Sequence, residues 1–244
     1  MRALLMGGQA CVLYGAAEFS RDTDLAVLAS GANLARLRLA LDDLQAHVIA
    51  VPPFEERYLR VGHAVHFRCQ DAEALGMRVD VMTKMRGLDP FSKLWARRTS
   101  LELPDGTRCE VMSLPDLVKA KKTQRDKDWP MVRRLIEAHY FGHRERATAA
   151  QVRFWLQELR TPELLVETAR RWPAAWKAQK RHRALLALAR PGGEPELAEA
   201  LVREERAERE ADARYWQPLK AELERLRHER PPGATPPAGR GRPT

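Results

Sequence analysis

The sequence predicts a mixed α/β fold, α+β in organisation, with a small sheet flanked by helices and a helical C-terminal region. Three observations carry this. Short β-type runs alternate with helical patterns through residues 1–112 of the 244. Strand signals stop at Ser113. Beyond it, apolar residues recur at helical spacing in stretches cut by proline.

Taken in order, "ALLMGG", "TDLAVLA", "HAVHFRCQ", "MRVDVMT", "SLELPDG" and "TRCEVMS" read as strands, being short and rich in apolar and β-branched residues. The last two flank Asp105 and Gly106, a pair suited to a tight turn, so a hairpin is expected there. Residues 9–16 and 32–46 read as helices, the second with Leu34, Leu37, Leu41 and Leu44 on one face. Ser113 is a plausible N-cap for the next helix, with Pro115 and Asp116 in its first turn. Residues 148–190 carry Val152, Trp155, Leu156 and Leu159 on one helical face, and Pro162 and Pro173 divide the region into short helices. "RPGGEPE" reads as a linker, and residues 197–230 as a charged, exposed helix with solvated faces. The last stretch, 231–244, has proline and glycine but no apolar residue larger than alanine, and reads as a disordered tail. The expected organisation is therefore a core over 1–112, a helical region over 113–190, a linker and charged helix over 191–230, and the tail.

Bulk properties narrow the class. A hydrophobic content of 44% suffices for a core, and no run of eighteen apolar residues exists, so neither a membrane partner nor a signal peptide is expected and a cytoplasmic location is the default. Cys11, Cys69 and Cys109 are far apart, without metal-ligand spacing, and read as reduced core residues. A formal charge of +9 favours an acidic partner such as a nucleotide or nucleic acid.

Acidic residues inside strand-like runs are the chemical signal. Residues i and i+2 of a strand share a face, so Asp22 and Asp24 present two carboxylates side by side. Their repulsion is relieved by a cation, and Mg²⁺ suits oxygen-only ligands while retaining waters and substrate phosphates. A two-metal clamp needs a third carboxylate, and Asp80, between Val79 and Val81, is the candidate. Gly7 and Gly8, between a short strand and a helix, would let backbone N–H groups approach a phosphate.

With "GGQA", "SRDTDLAV", "RVDVM" and "DLVKAKKTQRDKDWPMV" in place, the chain resembles the nucleotidyltransferase superfamily that includes DNA polymerase beta, over roughly residues 4–140. Within it the likeness is to the branch of AbiEii-like toxins and minimal nucleotidyltransferases. The resemblance implies a small mixed nucleotidyltransferase sheet and transfer of an NMP from an NTP to an acceptor hydroxyl. It implies that Asp22, Asp24 and Asp80 hold Mg²⁺, with Asp80 also placed to act as a base. Gly7, Gly8, Ser20 and Arg21 would meet the triphosphate, and Lys121 would face the nucleotide. A toxin of a toxin–antitoxin pair acting on tRNA, with a protein antitoxin as partner, is one role it implies; a small-molecule acceptor of the aminoglycoside type is another. Two departures stand out: many members carry Gly-Ser where this chain has Gly7 and Gly8, and the family pattern leads one to expect a helix before the first strand.

Plainer readings stand beside these. Asp22 and Asp24 can be turn residues before a strand, and Asp80 can be ion-paired with Arg78 or Arg68. "KAKKTQRDKD" is either a nucleic-acid patch or a solvated helix face. His63, His66, His139 and His143 lack a metal-binding pattern. Trp155, Trp172 and Trp176 read as core or interface residues. A catalytically silent nucleic-acid or partner-binding protein with the same fold is the rival from another class.

Overall fold

The structure is a computed structural model that describes residues 1–229; the expected tail, 231–244, lies outside the described residues. The chain is mixed α/β, as its sequence predicts. Seven strands form one mixed sheet: β1 (Ala3–Met6), β2 (Asp22–Val27), β3 (His47–Val48), β4 (Val65–Arg68), β5 (Arg78–Met82), β6 (Thr99–Glu102) and β7 (Arg108–Val111). Their spatial order is β3-β4-β5-β2-β1-β7-β6. The strand runs read from the sequence are all present, and β6 and β7 form the hairpin expected around Asp105 and Gly106. The two-residue β3 carries too little pattern to be read in advance.

Helices α1 (Gly7–Leu13), α2 (Gly31–Asp43), α3 (Glu56–Val61) and α4 (Phe91–Ala96) lie between the strands. Ser30 caps α2 by accepting the Asn33 N–H. Leu34, Leu37 and Leu41 of α2 pack on Val27, Val65, Phe67, Val79 and Val81, so one face of the sheet is core. Each such side chain contributes about 1.5–3 kcal/mol on burial. Asn33 is buried and spends its polar groups on Arg2 and Leu28, accepting from the Arg2 N–H at 2.6 Å and donating to both carbonyls at 3.0 Å. It thereby pins the β1 and β2 ends nearest α2.

Helix α5 (Leu114–Lys121) begins after Ser113, whose hydroxyl accepts the Asp116 N–H at 3.4 Å and donates to the Asp116 carboxylate at 2.7 Å. Arg97 then grips both oxygens of Asp116, at 2.6 and 2.7 Å. Beyond it lie α6 (Asp128–His143), α7 (Ala149–Glu158), α8 (Pro162–Arg171) and α9 (Pro173–Gln179). Pro162 and Pro173 each open a helix, where a missing N–H costs nothing. Thr148 and Gln151 close a capping box on α7.

By Cα packing the described chain forms two units: residues 1–13, 18–120 and 214–229, which include the sheet, and residues 14–17 and 121–213, which are helical. The long helix α10 (Glu194–Glu229) contributes residues to each. It starts inside the expected linker, at Glu194, and it is not the lone exposed helix its composition predicts. In the helical unit Leu197, Leu201 and Asp212 are buried, and Glu204 takes Arg183 at 2.7 and 3.0 Å. In the sheet unit Leu219 is buried, and Glu222 meets the fully buried His63 at 2.8 Å. A sparse apolar stripe suffices when charged neighbours reach buried partners.

Candidate functional site: an acidic sheet face

Strands β2 and β5 are parallel neighbours in which Asp24 is the register partner of Asp80, and Asp22 of Arg78. Alternation turns Thr23, Val79 and Val81 to the other face, where the valines join the core. Asp22, Asp24, Arg78 and Asp80 therefore share one face. His66 of β4 stands across from Asp80 on that face. Asp22 is exposed, and Asp24 and Asp80 are intermediate.

The double glycine serves this face in a way its sequence does not disclose. Gly7, at φ +67°, opens α1 directly after β1, and Met6 pairs with Asp24. A Cβ at Gly7 would fall 1.8 Å from Asp24 Oδ2, and one at Gly8 would fall 2.4 Å from Ser20 Oγ. Room at position 7 is thus used by the Asp24 carboxylate itself; the glycines let β2 and its approach lie against the first turn of α1. Ser20 donates its hydroxyl hydrogen to the Asp22 carbonyl at 3.2 Å. Arg21 is exposed, its guanidinium 5.9 Å from the ring centre of the exposed Phe19.

Asp80 has taken the ion-paired arrangement. Its Oδ1 accepts from Arg78 Nε at 2.8 Å and lies 2.8 Å from His66 Nδ1. Arg78 Nη2 lies 3.0 Å from the same His66 nitrogen. That nitrogen can donate to Asp80 or accept from Arg78 but not both, so whether it carries the ring hydrogen decides which bond exists. Burial would raise the Asp80 carboxyl, but the His66 and Arg78 contacts outweigh it and hold it below the ordinary carboxylate range. Arg78 is held further into its charged form, first by its Asp80 hydrogen bond and then by the fields of Asp80, Asp22 and Asp24, against the opposing effect of burial.

The donor set fits a hard divalent cation in part. Asp22 and Asp24 offer oxygen ligands two residues apart on one face. Asp80 reaches the same face with one oxygen already engaged. Among the described residues, no group of three or more His, Cys, Asp or Glu side chains is gathered tightly enough to hold a metal ion. The three aspartates share a face, and Arg78 stands between that arrangement and a three-carboxylate ligand set.

Lys121 belongs to the helical unit, where its Nζ lies 3.5 Å from Asp128. The "KAKKTQRDKD" run is not one continuous helix face: α5 ends at Lys121, α6 begins at Asp128, and a turn joins them. Lys122 pairs with Glu158 at 2.5 Å, and Arg125 with Asp128 at 2.7 Å. Trp129 donates its indole N–H to the Thr123 carbonyl at 2.8 Å. Asp126 and Arg209 are hydrogen-bonded. Trp155 is core, and its indole donates to His139 Nδ1 at 2.9 Å. Cys11 and Cys69 are buried, as core residues are, but Cys109, on the short β7 near the sheet edge, is only half-buried; none of the three is in a disulfide.

His66 is the residue sequence reasoning passed over. Its only signal is alternation in "VHFR", which faces it with Arg68 and against Phe67, and which acquires meaning only when β4 pairs with β5. No protein-family model matches this chain, and no curated protein matches it.

Proposed function

We propose that the acidic face is the centre of a Mg²⁺-dependent nucleotidyltransferase that moves an NMP from an NTP to an acceptor hydroxyl. One observation carries the reading: Asp24 and Asp80 are register partners on parallel strands, with Asp22 on the same face and Gly7 pressed against the Asp24 carboxylate. Fold and charge by themselves would suit many functions. Negative side chains accumulated on one polar sheet face favour cation and phosphate chemistry.

In this proposal Asp22 and Asp24 hold the cation, and Asp80 sits beside them to accept the acceptor's proton or to complete the ligand set. When bound, Mg²⁺ supplies charge neutralisation at the phosphates. The acceptor oxygen attacks the α-phosphorus, the bond to the bridging oxygen breaks and pyrophosphate leaves. Gly7 and Gly8 keep the first turn of α1 close to the carboxylates, and Ser20 and Arg21 offer a hydroxyl and an exposed guanidinium beside Asp22. Lys121 would have to give up Asp128 to reach a nucleotide. The net charge of +9 suits tRNA or another nucleic acid as acceptor. A toxin role with a protein antitoxin, and an aminoglycoside-type acceptor, rest on the sequence resemblance.

A second reading, a catalytically silent nucleic-acid or partner-binding protein, has one observation in its favour: Asp80 is already compensated by Arg78 and His66. Incubation with Mg²⁺, each labelled NTP and total tRNA separates the two. Label transfer that falls at least a hundredfold in Asp22→Ala/Asp24→Ala supports the enzyme. Transfer that survives the double substitution overturns the metal-centred mechanism, and no transfer to any RNA, protein or small molecule favours the binding protein.

A further inference from the structure

We propose that the helical unit binds the phosphate backbone of nucleic acid through Arg153 of α7 and the C-terminal end of α9, where Lys177, Lys180 and Arg181 stand. Residues 168–193 hold seven arginines and lysines and no aspartate or glutamate, whereas residues 194–213 of α10, in the same unit, hold eight acids and three cations. Charge in this unit is therefore sorted by segment, which a basic composition alone does not require. Ion pairing sorts the same way. Lys122, Arg125, Arg171 and Arg183 have carboxylate partners. Among the described residues, Arg153, Lys177, Lys180 and Arg181 enter no ion pair, and Arg153, Lys177 and Arg181 are exposed.

The geometry suits a phosphodiester chain. Helix α9 ends at Gln179, and its last turn is extended by the Lys180 N–H bonding the Trp176 carbonyl and the His182 N–H bonding the Gln179 carbonyl. Lys177 and Arg181 are thus one turn apart, and side chains so spaced lie about 5–6 Å from each other at Cβ, comparable with successive phosphates along a strand. Their exposed neighbours Ala174 and Ala178 are too small to hold a backbone away. Lys180 Nζ lies 4.3 Å from the centre of the Trp176 ring, and that ring is fixed by its indole N–H donating to the Leu186 carbonyl at 2.7 Å. Gln157, exposed one turn beyond Arg153, donates to Gln179 Oε1 at 2.8 Å and so joins the α7 row to the end of α9. Cations at a helix C-terminus complement its dipole, which accounts for Lys177 and Arg181 but not for Arg153, in the middle of α7. Between residues 149 and 190 no large apolar side chain is exposed, so an acidic membrane surface would find nothing to insert, whereas phosphates need only the charges.

The test is fluorescence anisotropy of a labelled RNA hairpin and a labelled DNA duplex with the full chain, across a salt series. EDTA is present and NTP is absent, so the result is read independently of any chemistry on the acidic face. Arg153→Gln/Lys177→Gln/Arg181→Gln is expected to bind on the order of tenfold to a hundredfold more weakly near about 0.1 M salt, with a slope of log affinity against log salt shallower by roughly two to three. Arg36→Gln/Arg57→Gln/Arg108→Gln, which removes the same charge from exposed positions of the sheet unit, is expected to leave the slope unchanged. Arg153→Lys/Lys177→Arg/Arg181→Lys, which keeps the charges, is expected to keep the slope and separates loss of charge from loss of fold. The tighter of the two probes identifies the kind of nucleic acid. Equal losses in the two glutamine triples overturn the surface and leave only net charge. Absence of binding to both probes overturns it as well, as does binding confined to phosphatidylserine-containing vesicles in a parallel sedimentation assay.

Discussion

Asp80 in the sheet unit and Asp128 in the helical unit are both largely buried carboxylates held below their ordinary pKa, yet their surroundings differ. Asp128 is a lone acid served by Thr123 at 2.5 Å, Arg125 at 2.7 Å and Lys121 at 3.5 Å. Around it, donors outnumber acids. On the sheet face Asp80 takes Arg78 and His66, and Asp22 and Asp24 lie on that same face beside it. The first arrangement is what a fold needs to bury a charge; the second crowds acids on one face and leaves Asp22 exposed to solvent. Under the proposed function, the difference would separate a carboxylate kept for structure from carboxylates kept for a ligand.

Substitutions can break that contrast, beginning with the largest expected effect. Gly7→Ala places a methyl group within the Asp24 carboxylate and asks alanine to adopt φ +67°. The left-handed backbone and the forced repacking together cost roughly 2–5 kcal/mol, read as a lowered urea midpoint. Full wild-type stability in this variant would mean that Asp24 does not depend on the glycine. Asp128→Ala leaves a hydroxyl and two cations facing a vacated carboxylate and is expected to cost about 2–4 kcal/mol in chemical denaturation.

A pH effect comes next. His139, buried and stacked on His143, is pushed down to about 4, with burial the larger cause and His143 repulsion the second. Its Nδ1 accepts the Trp155 indole N–H, a bond that a proton on that nitrogen would break. Unfolded histidine titrates near 6.5, so between about pH 6.5 and 4 the unfolded chain binds the extra proton and stability falls as pH falls. Thermal melts across that window should flatten in His139→Gln. Asp80 and Asp128 act at lower pH: their folded pKa values are depressed, so the stability they contribute is present above the unfolded value near 3.9 and lost as pH falls through the folded one. The smallest effect sharpens the comparison most. Asp22→Asn relieves repulsion on an exposed acidic face and is expected to leave stability unchanged or raise it by up to about 1 kcal/mol, opposite in sign to Asp128→Ala. A loss of stability in Asp22→Asn would make the sheet acids structural too.

Six of the seven strands were legible because each holds at least four residues of β-type pattern, and α2 because its leucines keep helical spacing. Helices α3 and α4 span six residues each, too few for periodicity to emerge against their charged neighbours. The burial of α10 was hidden by composition, since the glutamates that make it look solvated are those that meet His63 and Arg183. At the candidate site, "RVD" already places Arg78 and Asp80 on one strand face, so their pairing was open to a reading by parity.

The amino-acid order alone determined which residues face together along each strand, because alternation is local: Asp22 with Asp24, and Arg78 with Asp80. It also determined where helices start, through Ser113, Pro162 and Pro173, whose effects act within one turn. Tertiary structure decided the register that sets Asp24 beside Asp80, the arrival of His66 from β4, and the use of Gly7 to seat a carboxylate. Those are pairings across tens of residues, selected by the burial of Val27, Val65, Val79 and Val81 beneath α2. The charges on the opposite face are carried into place by that burial.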